Sequence, residues 1–360
     1  MRYLLILIFV GLSASVAVAQ SKPVKVGVLL CQTGGCAATG MAALHGIQIA
    51  VDEINNSGGL LGQRVEIVTQ DSRDGESARY AVEAFRSLAL DPEVHFFIGP
   101  SWSPAGMPLI PFFRSRSEII IVSPSVGVSD FNEASDNIFN LRPPDKIGTQ
   151  ALARLAARNA WRNAAIVSAQ DPWAADQARN FSYEIARQGG KIVASVEPLP
   201  TSADVRPEVL KIVATKPDVV LFTLFVHMRA AARYLREMGY TGNFMAVHLD
   251  QSMIKAVNGA LEGTIFCNFP EASPEFTDKY VKRFKERPGI SSDTGYDAVH
   301  LYERAIVAAH SFDPTLVKQQ MLKIGWDGAS GRITFDPKGG VKREPRFFKV
   351  VGTSFVPYEG

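Results

Sequence analysis

The apolar positions of the chain change spacing repeatedly from residue 24 onward. Val24–Leu30 is an apolar run rich in valine and leucine, which favours a buried strand. A loop of small residues follows at 32–40, and the next apolar residues recur at helical spacing: Leu44, Ile47, Val51 and Ile54. The segment 56–59 ends this helix, and a second strand begins at Arg64. The pattern predicts a βαβ unit whose first loop lies close to a small ligand.

The same alternation continues through most of the chain. Apolar runs predict strands at 94–98, 119–122, 164–168, 192–196, 219–224, 244–247 and 264–269. Helical patterns fall around 78–89, 146–159, 178–185, 206–215, 228–238, 274–286 and 294–310. The segment 138–145 interrupts the series, because Pro143 and Pro144 stop strand pairing. We therefore predict an α/β fold of two doubly wound, Rossmann-like lobes, with a first crossing between them at this segment.

The first 19 residues have the pattern of an export signal. Arg2 supplies a positive charge, and Tyr3–Leu12 is an apolar run too short to span a bilayer. Ala17-Val18-Ala19 fits the small-x-small rule for cleavage. We expect a signal peptide cleaved after Ala19 and a periplasmic mature protein; an uncleaved membrane anchor is the alternative, disfavoured by the short apolar run.

Charge and cysteine content narrow the function. The 360-residue chain has a formal charge of +2, and removing 1–19 takes away one Arg and no acid, which leaves +1. A nearly neutral chain argues against a nucleic-acid partner. Export permits a disulfide, and Cys31 and Cys36 flank a flexible loop, so they form either a bridge that stiffens the loop or two buried thiols. Cys267, in an apolar run, is expected to be a buried thiol.

Catalytic and metal-binding signatures are missing from the sequence. There is no G-x-S-x-G, H-E-x-x-H, phosphate-binding loop or G-x-G-x-x-G pattern, and no two of the six histidines have metal-ligand spacing. We predict no catalytic residue, no metal and no cofactor, and therefore no enzyme. An exported hydrolase with a dispersed site is the alternative that this absence leaves.

A combination of motifs resembles the periplasmic leucine/isoleucine/valine-binding proteins, the receptors of one class of ABC importer. The motifs follow in the family's order: Gly46, Ala50, Ile54 and Asn55, then Gly58, Gly59 and Gly62, then Asp71 and Asp74. Near the C-terminus, 331–340 is similar to the family's G-x-[IL]-x-F-D-x-x-G segment. The resemblance implies a three-segment hinge and a ligand cleft between the lobes. It places 24–141 and 272–330 in the N-terminal lobe, and 142–271 and 331–360 in the C-terminal lobe.

The resemblance also implies a ligand site at the strand ends. Ser103 matches a serine that binds the ligand's carboxylate, and Ser125 matches a loop residue whose carbonyl receives the ammonium group. Trp173 and Phe225 match aromatic positions that enclose the ligand. The remaining candidates are Gly127, His248, Asp250 and Thr39. Ordinary capping or packing is the alternative for each of these residues.

Two of these positions depart from the family's pattern. Gly127 stands where the family has a threonine hydroxyl, and His248 stands where it has the glutamate that pairs with the ammonium group. Burying an ammonium group without a partner costs several kcal/mol. We therefore expect a small organic acid or amide with an apolar or aromatic body, unless Asp250 restores the ammonium site and the ligand is an amino acid.

The expected function is that of an exported receptor for a branched-chain amino-acid-type ABC importer. It would act as a monomer, bind a small carboxylate-bearing or amino-acid-like ligand by hinge closure, and deliver it to an inner-membrane ABC permease. A ligand-sensing subunit that feeds a membrane receptor is the alternative from another class.

The signal peptide gives a direct prediction. Because Ala17 and Ala19 satisfy the cleavage rule, N-terminal sequencing of protein exported from its host should begin at Gln20. Recovery of the intact chain in the membrane fraction would contradict this expectation.

Overall fold

The computed structural model describes residues 22–73, 77–269 and 271–359. The expected signal peptide, its cleavage site and Asp74 of the motif lie outside these ranges. In the described part of the chain, no helix has both the length and the apolarity needed to span a bilayer.

Strands and helices alternate along the chain. The strands are β1 (Val24–Leu30), β2 (Val65–Asp71), β3 (Phe96–Ile98), β4 (Ile120–Ser123), β5 (Ile138–Asn140), β6 (Asn163–Ser168), β7 (Lys191–Val196), β8 (Val219–Thr223), β9 (Asn243–Val247), β10 (Ile265–Asn268), β11 (Gly325–Gly328), β12 (Gly331–Thr334), β13 (Arg346–Val351) and β14 (Ser354–Pro357). The α-helices are α1 (Ala37–Asn56), α2 (Ala78–Ala89), α3 (Ser103–Arg114), α4 (Lys146–Arg158), α5 (Pro172–Arg187), α6 (Arg206–Ala214), α7 (Met228–Glu237), α8 (Gln251–Ala256), α9 (Pro274–Phe284), α10 (Ser292–Ala309) and α11 (Pro314–Met321). A short 3₁₀ helix, Gly34–Cys36, precedes α1.

Two separate sheets define two lobes. The first sheet is parallel throughout and has the order β2-β1-β3-β4-β5. The second sheet has the order β14-β13-β10-β9-β8-β6-β7, and only β13 and β14 run antiparallel to their neighbours. Its parallel part, read from β7 to β10, repeats the order of the first sheet. The predicted α/β fold with two doubly wound lobes is confirmed.

The repeated strand order positions the cleft. In each sheet the connections reverse direction next to the first strand of the lobe, between β1 and β3 and between β6 and β8. At such a reversal the loops after the strands diverge and leave a crevice at the carboxyl ends. The two crevices face one another, so the loops after β1, β3, β4, β6, β8 and β9 all meet between the lobes.

Helices cover both faces of each sheet. In the first lobe, α1, α10 and α11 pack on one face around Ile47 and Tyr302, while α2 and α3 pack on the other around Phe85 and Phe113. In the second lobe, α6, α7 and α8 cover one face, and α4 and α5 cover the other. Burial on both faces explains why the central strands are apolar runs without alternation.

Two glycines allow α1 and α10 to pack closely. A methyl group on Gly46 would overlap the carbonyl oxygen of Ser292, and one on Gly295 would overlap that of Ala43. Gly46 is the first residue of the sequence motif described above. Its role in this chain is to bring an N-terminal helix against a helix from the C-terminal third.

Three chain segments connect the lobes, and the structure changes two expectations about them. Residues 138–140, which were expected in the N-terminal lobe at the start of the first crossing, form the strand β5 and pair with β4. Residues 331–341, which it placed in the C-terminal lobe, pack in the core of the first lobe through Ile333 and Val341. The buried carboxylate of Asp297 on α10 fixes the β11–β12 turn there, because it accepts hydrogen bonds from the N–H groups of Ala329 and Ser330.

The first loop is also shorter than expected. The sequence analysis predicted a loop over 32–40, but α1 begins at Ala37. Cys31 and Cys36 are joined by a disulfide, and Cys267 is a buried free thiol on β10. The bridge closes the turn directly before α1, so the helix starts against the end of β1.

Tyr302 offers a test of the first lobe's core. Its side chain is 1% exposed, and its hydroxyl lies 2.7 Å from the carbonyl oxygen of Phe97 and 2.9 Å from that of Ile120. Tyr302→Phe leaves these groups buried without the hydroxyl, so the free energy of unfolding should fall by about 1–3 kcal/mol. Urea denaturation measures it. Tyr183→Phe, at a side chain that is 61% exposed, is the control and should change little.

Candidate functional site

A cavity lies between the lobes where the carboxyl ends of the strands meet. Its walls come from both lobes and from the first crossing: Thr39, Ser101, Trp102, Ser103, Pro104, Ser125, Gly127, Arg142, Asp145, Asp171, Trp173, Phe225, His248, Met253 and Ile290. Its volume is about 60 Å³, and one water molecule needs about 10–15 Å³ of such space. The cavity therefore has room for a small solute.

The first-lobe wall is the amino end of α3. Trp102 precedes the helix and makes no side-chain cap, so the first backbone N–H groups of α3 are not capped by a side chain. Ser103 is 3% exposed, and its hydroxyl accepts a hydrogen bond from the N–H of Val128 at 3.3 Å. The Ser101 hydroxyl is fully buried and has no hydrogen-bond partner among the residues that the structure describes. A helix amino end with an orphaned hydroxyl suits an anion such as a carboxylate.

Ser125 and Thr39 complete the polar part of this wall. The Ser125 hydroxyl donates to the carbonyl oxygen of Ser101 at 2.6 Å, which fixes the loop after β3 against the loop after β4. Thr39 lies in the first turn of α1 and is 7% exposed. Both side chains line the cavity, as the sequence predicted.

Three aromatic rings form the apolar wall. Trp173, at the start of α5, stacks on Phe225 with ring centroids 5.3 Å apart and an interplanar angle of 19°. Trp102 of the first lobe lies 6.1 Å from Phe225 between ring centroids. The row therefore crosses from one lobe to the other. It offers flat, rigid apolar contact to the body of a ligand.

A buried ion pair at the first crossing forms the base of the cavity. The Nε and Nη2 atoms of Arg142 donate to Oδ1 of Asp145 at 3.0 and 2.7 Å, and the indole N–H of Trp173 donates to Oδ2 at 2.7 Å. Asp145 is only 3% exposed. Burial raises the pKa of Asp145, while the Arg142 charge and the Trp173 N–H act in the opposite direction.

The lack of a side chain at Gly127 leaves space for this ion pair. A methyl group at position 127 would overlap Oδ2 of Asp145 and lie 3.1 Å from Nε1 of Trp173. The Gly127 carbonyl also accepts a hydrogen bond from the N–H of Asp145 at 2.9 Å. The departure from threonine, seen in the sequence as the loss of a hydroxyl, leaves room here for a carboxylate and an indole.

The second lobe adds two further polar groups. Asp171 lines the cavity and caps α5 by accepting a hydrogen bond from the N–H of Ala174 at 2.9 Å. Burial raises the pKa of Asp171, although this hydrogen bond acts in the opposite direction. His248 has a left-handed backbone conformation, with φ of 68°, and is 7% exposed. Its Nε2 is buried without a partner among the described residues. A strained, buried residue with an unused polar atom is typical of a binding site.

Most residues predicted from the sequence meet at the cavity, and one does not. Thr39, Ser103, Ser125, Gly127, Trp173, Phe225 and His248 line it. Asp250 does not line it; its Oδ1 caps α8 by accepting from the N–H of Met253 at 2.8 Å, and its side chain lines a neighbouring cavity that also borders Arg142 and His248. A role for Asp250 at the ammonium group of a ligand stays a prediction.

The sequence analysis missed the charged part of the site. Arg142 and Asp145 flank the Pro-Pro pair that it read only as a crossing, and Asp171 precedes Trp173 in a loop that it did examine. Ser101 and Trp102 belong to the loop of Ser103. Nothing in the sequence indicated that Ile290 and Met253 line the cavity, since neither directly follows a strand. No cluster of three or more potential metal ligands occurs within the described ranges.

Comparisons with known proteins identify the family of the chain. The family model of periplasmic binding proteins matches residues 23–353, so the chain belongs to this family of solute-binding proteins. The chain is 25% identical over 328 residues to the Leu/Ile/Val-binding protein BraC3 of Rhizobium johnstonii, covering 88% of each chain.

Solved structures share the architecture. A leucine-binding protein from Thermotoga maritima superposes with a TM-score of 0.85 at 23% identity, over 93% of this chain and 97% of that one. A solute-binding protein from Rhodopseudomonas palustris, solved with 3,4-dihydroxybenzoic acid, gives 0.82 at 20% identity, over 93% and 96%. These likenesses establish the type I periplasmic binding fold.

The match between Gly127 and Asp145 can be tested without a ligand. Gly127→Ala forces a methyl group against the Asp145 carboxylate, and overpacking of this kind costs about 1–3 kcal/mol. We expect a lower thermal unfolding midpoint for this variant. Gly35→Ala is the control, since a methyl group there meets nothing within 4 Å. Equal midpoints for the two variants would contradict the described packing.

Proposed function

We propose that this protein is the exported receptor of a branched-chain amino-acid-type ABC importer and that it binds a small carboxylate between its lobes. Membership of the periplasmic binding protein family supports the receptor role. Relatives named for leucine, isoleucine and valine, and a neighbour solved with isoleucine, support an importer of this type. The signal peptide expected over residues 1–19 supports export.

The observation that carries the ligand class is the orphaned Ser101 hydroxyl at the amino end of α3. Buried polar groups in proteins are nearly always hydrogen-bonded. A ligand carboxylate at this position would accept from Ser101 and Ser103 and would face the positive end of the helix dipole. No basic side chain is needed for such an anion site.

The cavity lining also includes acidic side chains, which accept hydrogen bonds. The carboxylates of Asp145 and Asp171 both line the cavity, whereas Arg142 is the one basic side chain among the cavity-lining residues named above. A ligand that brought only a negative charge would add to this imbalance in a closed, poorly solvated space. We therefore propose that the ligand carries a hydrogen-bond donor, either ammonium or hydroxyl, in addition to its carboxylate.

This proposal changes the ligand expected from the sequence. A small organic acid or amide with an apolar or aromatic body was expected because Gly127 and His248 depart from the family's polar anchors. Asp145 and Asp171 line the cavity, and neither was among the acidic side chains expected from the sequence. Both an apolar amino acid and a hydroxylated aromatic acid satisfy the revised description.

Closure follows from the division of the site between the lobes. The carboxylate wall belongs to the first lobe, while Trp173, Phe225 and His248 belong to the second. A ligand that touches both walls stabilises the closed form by its contacts with the second one. In the importer, the permease would then receive the closed form.

Calorimetry with matched ligand pairs tests the proposal. The pairs are L-leucine with 4-methylpentanoate and 4-hydroxybenzoate with benzoate, since the second member of each lacks only the donor. We expect the donor-bearing member of at least one pair to bind about tenfold or more tightly, the factor that one hydrogen bond to a charged group provides. Ser101→Ala should weaken that binding about tenfold through loss of its hydroxyl.

Ser72→Ala is the matched control. The Ser72 hydroxyl is likewise buried without a partner among the described residues, but Ser72 does not line the cavity. Binding that is unchanged in Ser101→Ala would contradict the carboxylate position. Tighter binding of both donor-free acids would contradict the donor requirement and leave the receptor role standing.

A further inference from the structure

A second contact between the lobes lies outside the cavity. Ser129 follows β4 in the first lobe, and Asp176 lies on α5 in the second. They are 7% and 2% exposed, and neither lines the cavity. We call this pair the clasp.

Both donors of Ser129 converge on one carboxylate oxygen. The hydroxyl lies 2.8 Å and the backbone N–H 3.1 Å from Oδ2 of Asp176. Hydrogen bonds to a charged acceptor are about twice as strong as neutral ones, and two donors from one residue fix its orientation. The clasp is therefore a directional contact that exists only while the lobes are together.

The other hydrogen-bond partners of the Asp176 carboxylate lie on its own helix. Arg179 and Asn180 donate to Oδ1 at 2.7 and 3.0 Å, and Gln177 donates to Oδ2 at 3.3 Å. These contacts do not depend on the other lobe. When the lobes separate, Oδ1 keeps its partners, whereas Oδ2 loses both Ser129 donors. Opening therefore removes hydrogen bonds from Oδ2 of Asp176 and leaves those of Oδ1 in place.

We infer that the clasp sets the affinity of the receptor without touching the ligand, by raising the population of the closed form. The inference rests on the proposed closure around a ligand. When only the closed form binds tightly, the apparent dissociation constant equals the intrinsic one divided by the closed fraction. A weaker clasp lowers that fraction and weakens every ligand by the same factor.

Two variants, one on each lobe, test the clasp. Ser129→Ala removes the hydroxyl donor, and Asp176→Asn removes the charge while keeping the shape. With L-leucine as the probe, each should raise the dissociation constant about tenfold, mainly through faster dissociation, since changes in one interface act mostly on the off-rate. Arg179→Gln is the matched control, because it removes a same-lobe partner of Asp176 from a side chain that is 68% exposed.

Hydrogen exchange provides a second measurement that needs no ligand. In the ligand-free mature protein, the backbone N–H of Ser129 should exchange several times faster in Asp176→Asn than in the wild type or in Arg179→Gln. Thermal unfolding midpoints should stay within the range of the control, since each lobe keeps its own core. If L-leucine does not bind the wild type, that result bears on the proposed function alone, and the hydrogen-exchange test of the clasp still applies.

Two results would overturn the inference. One is equal exchange of the Ser129 N–H in the wild type and in Asp176→Asn. The other is a leucine affinity in both clasp variants that equals that of Arg179→Gln. A variant that unfolds is replaced by its partner on the other lobe, since Ser129→Ala and Asp176→Asn break the same contact from opposite sides.

Discussion

The buried carboxylate of Asp145 is the group on which the rest of the site depends. It lies at the first crossing, is held by Arg142 from the same segment and by Trp173 from the second lobe, and occupies the space that Gly127 of the first lobe leaves open. Removing a carboxylate from water costs several kcal/mol unless charged and polar partners surround it. Here those partners come from different parts of the chain, so in the described conformation the carboxylate contacts the hinge, the aromatic wall and the first-lobe loop at once.

The symmetry of the two lobes explains why such a group can face a cavity. Both sheets have the same parallel strand order, and each opens a crevice beside its first strand. Each crevice alone is a shallow surface. Placed face to face, they exclude water from the polar ends of a ligand, which strengthens every hydrogen bond made there. The contact between Ser129 and Asp176 belongs to the same arrangement, since it too is completed only across the gap.

The structure relates the two departures from the family's pattern to one another. A glycine at 127 and a histidine at 248 look, in the sequence, like independent losses of ligand contacts. In the structure, the space at Gly127 is used by Asp145 and Trp173, so an acidic side chain lines the cavity at the first crossing, whereas position 248 carries a histidine. His248 keeps its place in the wall and presents a buried nitrogen instead of a carboxylate. Under the proposed function, the pair of acids and the three rings together would determine which ligand binds.

The sequence by itself determined the two-lobe fold, most of its elements other than β5, α8, α11 and β11–β14, and seven of the eight predicted positions around the cavity. It could do so because local signals carry this information: apolar runs mark buried strands, helical spacing marks the covering helices, and residues that follow parallel strands must gather at one edge. The lobe to which residues 331–341 belong could not be predicted from the local sequence. It depends on the carboxylate of Asp297, which lies on α10 and accepts hydrogen bonds from the β11–β12 turn. The roles of Asp250 and Asp145 could not be predicted from the local sequence either. Each is an aspartate directly before a helix, and only tertiary packing decides that one caps its own helix while the other meets Arg142 and Trp173 inside the cavity.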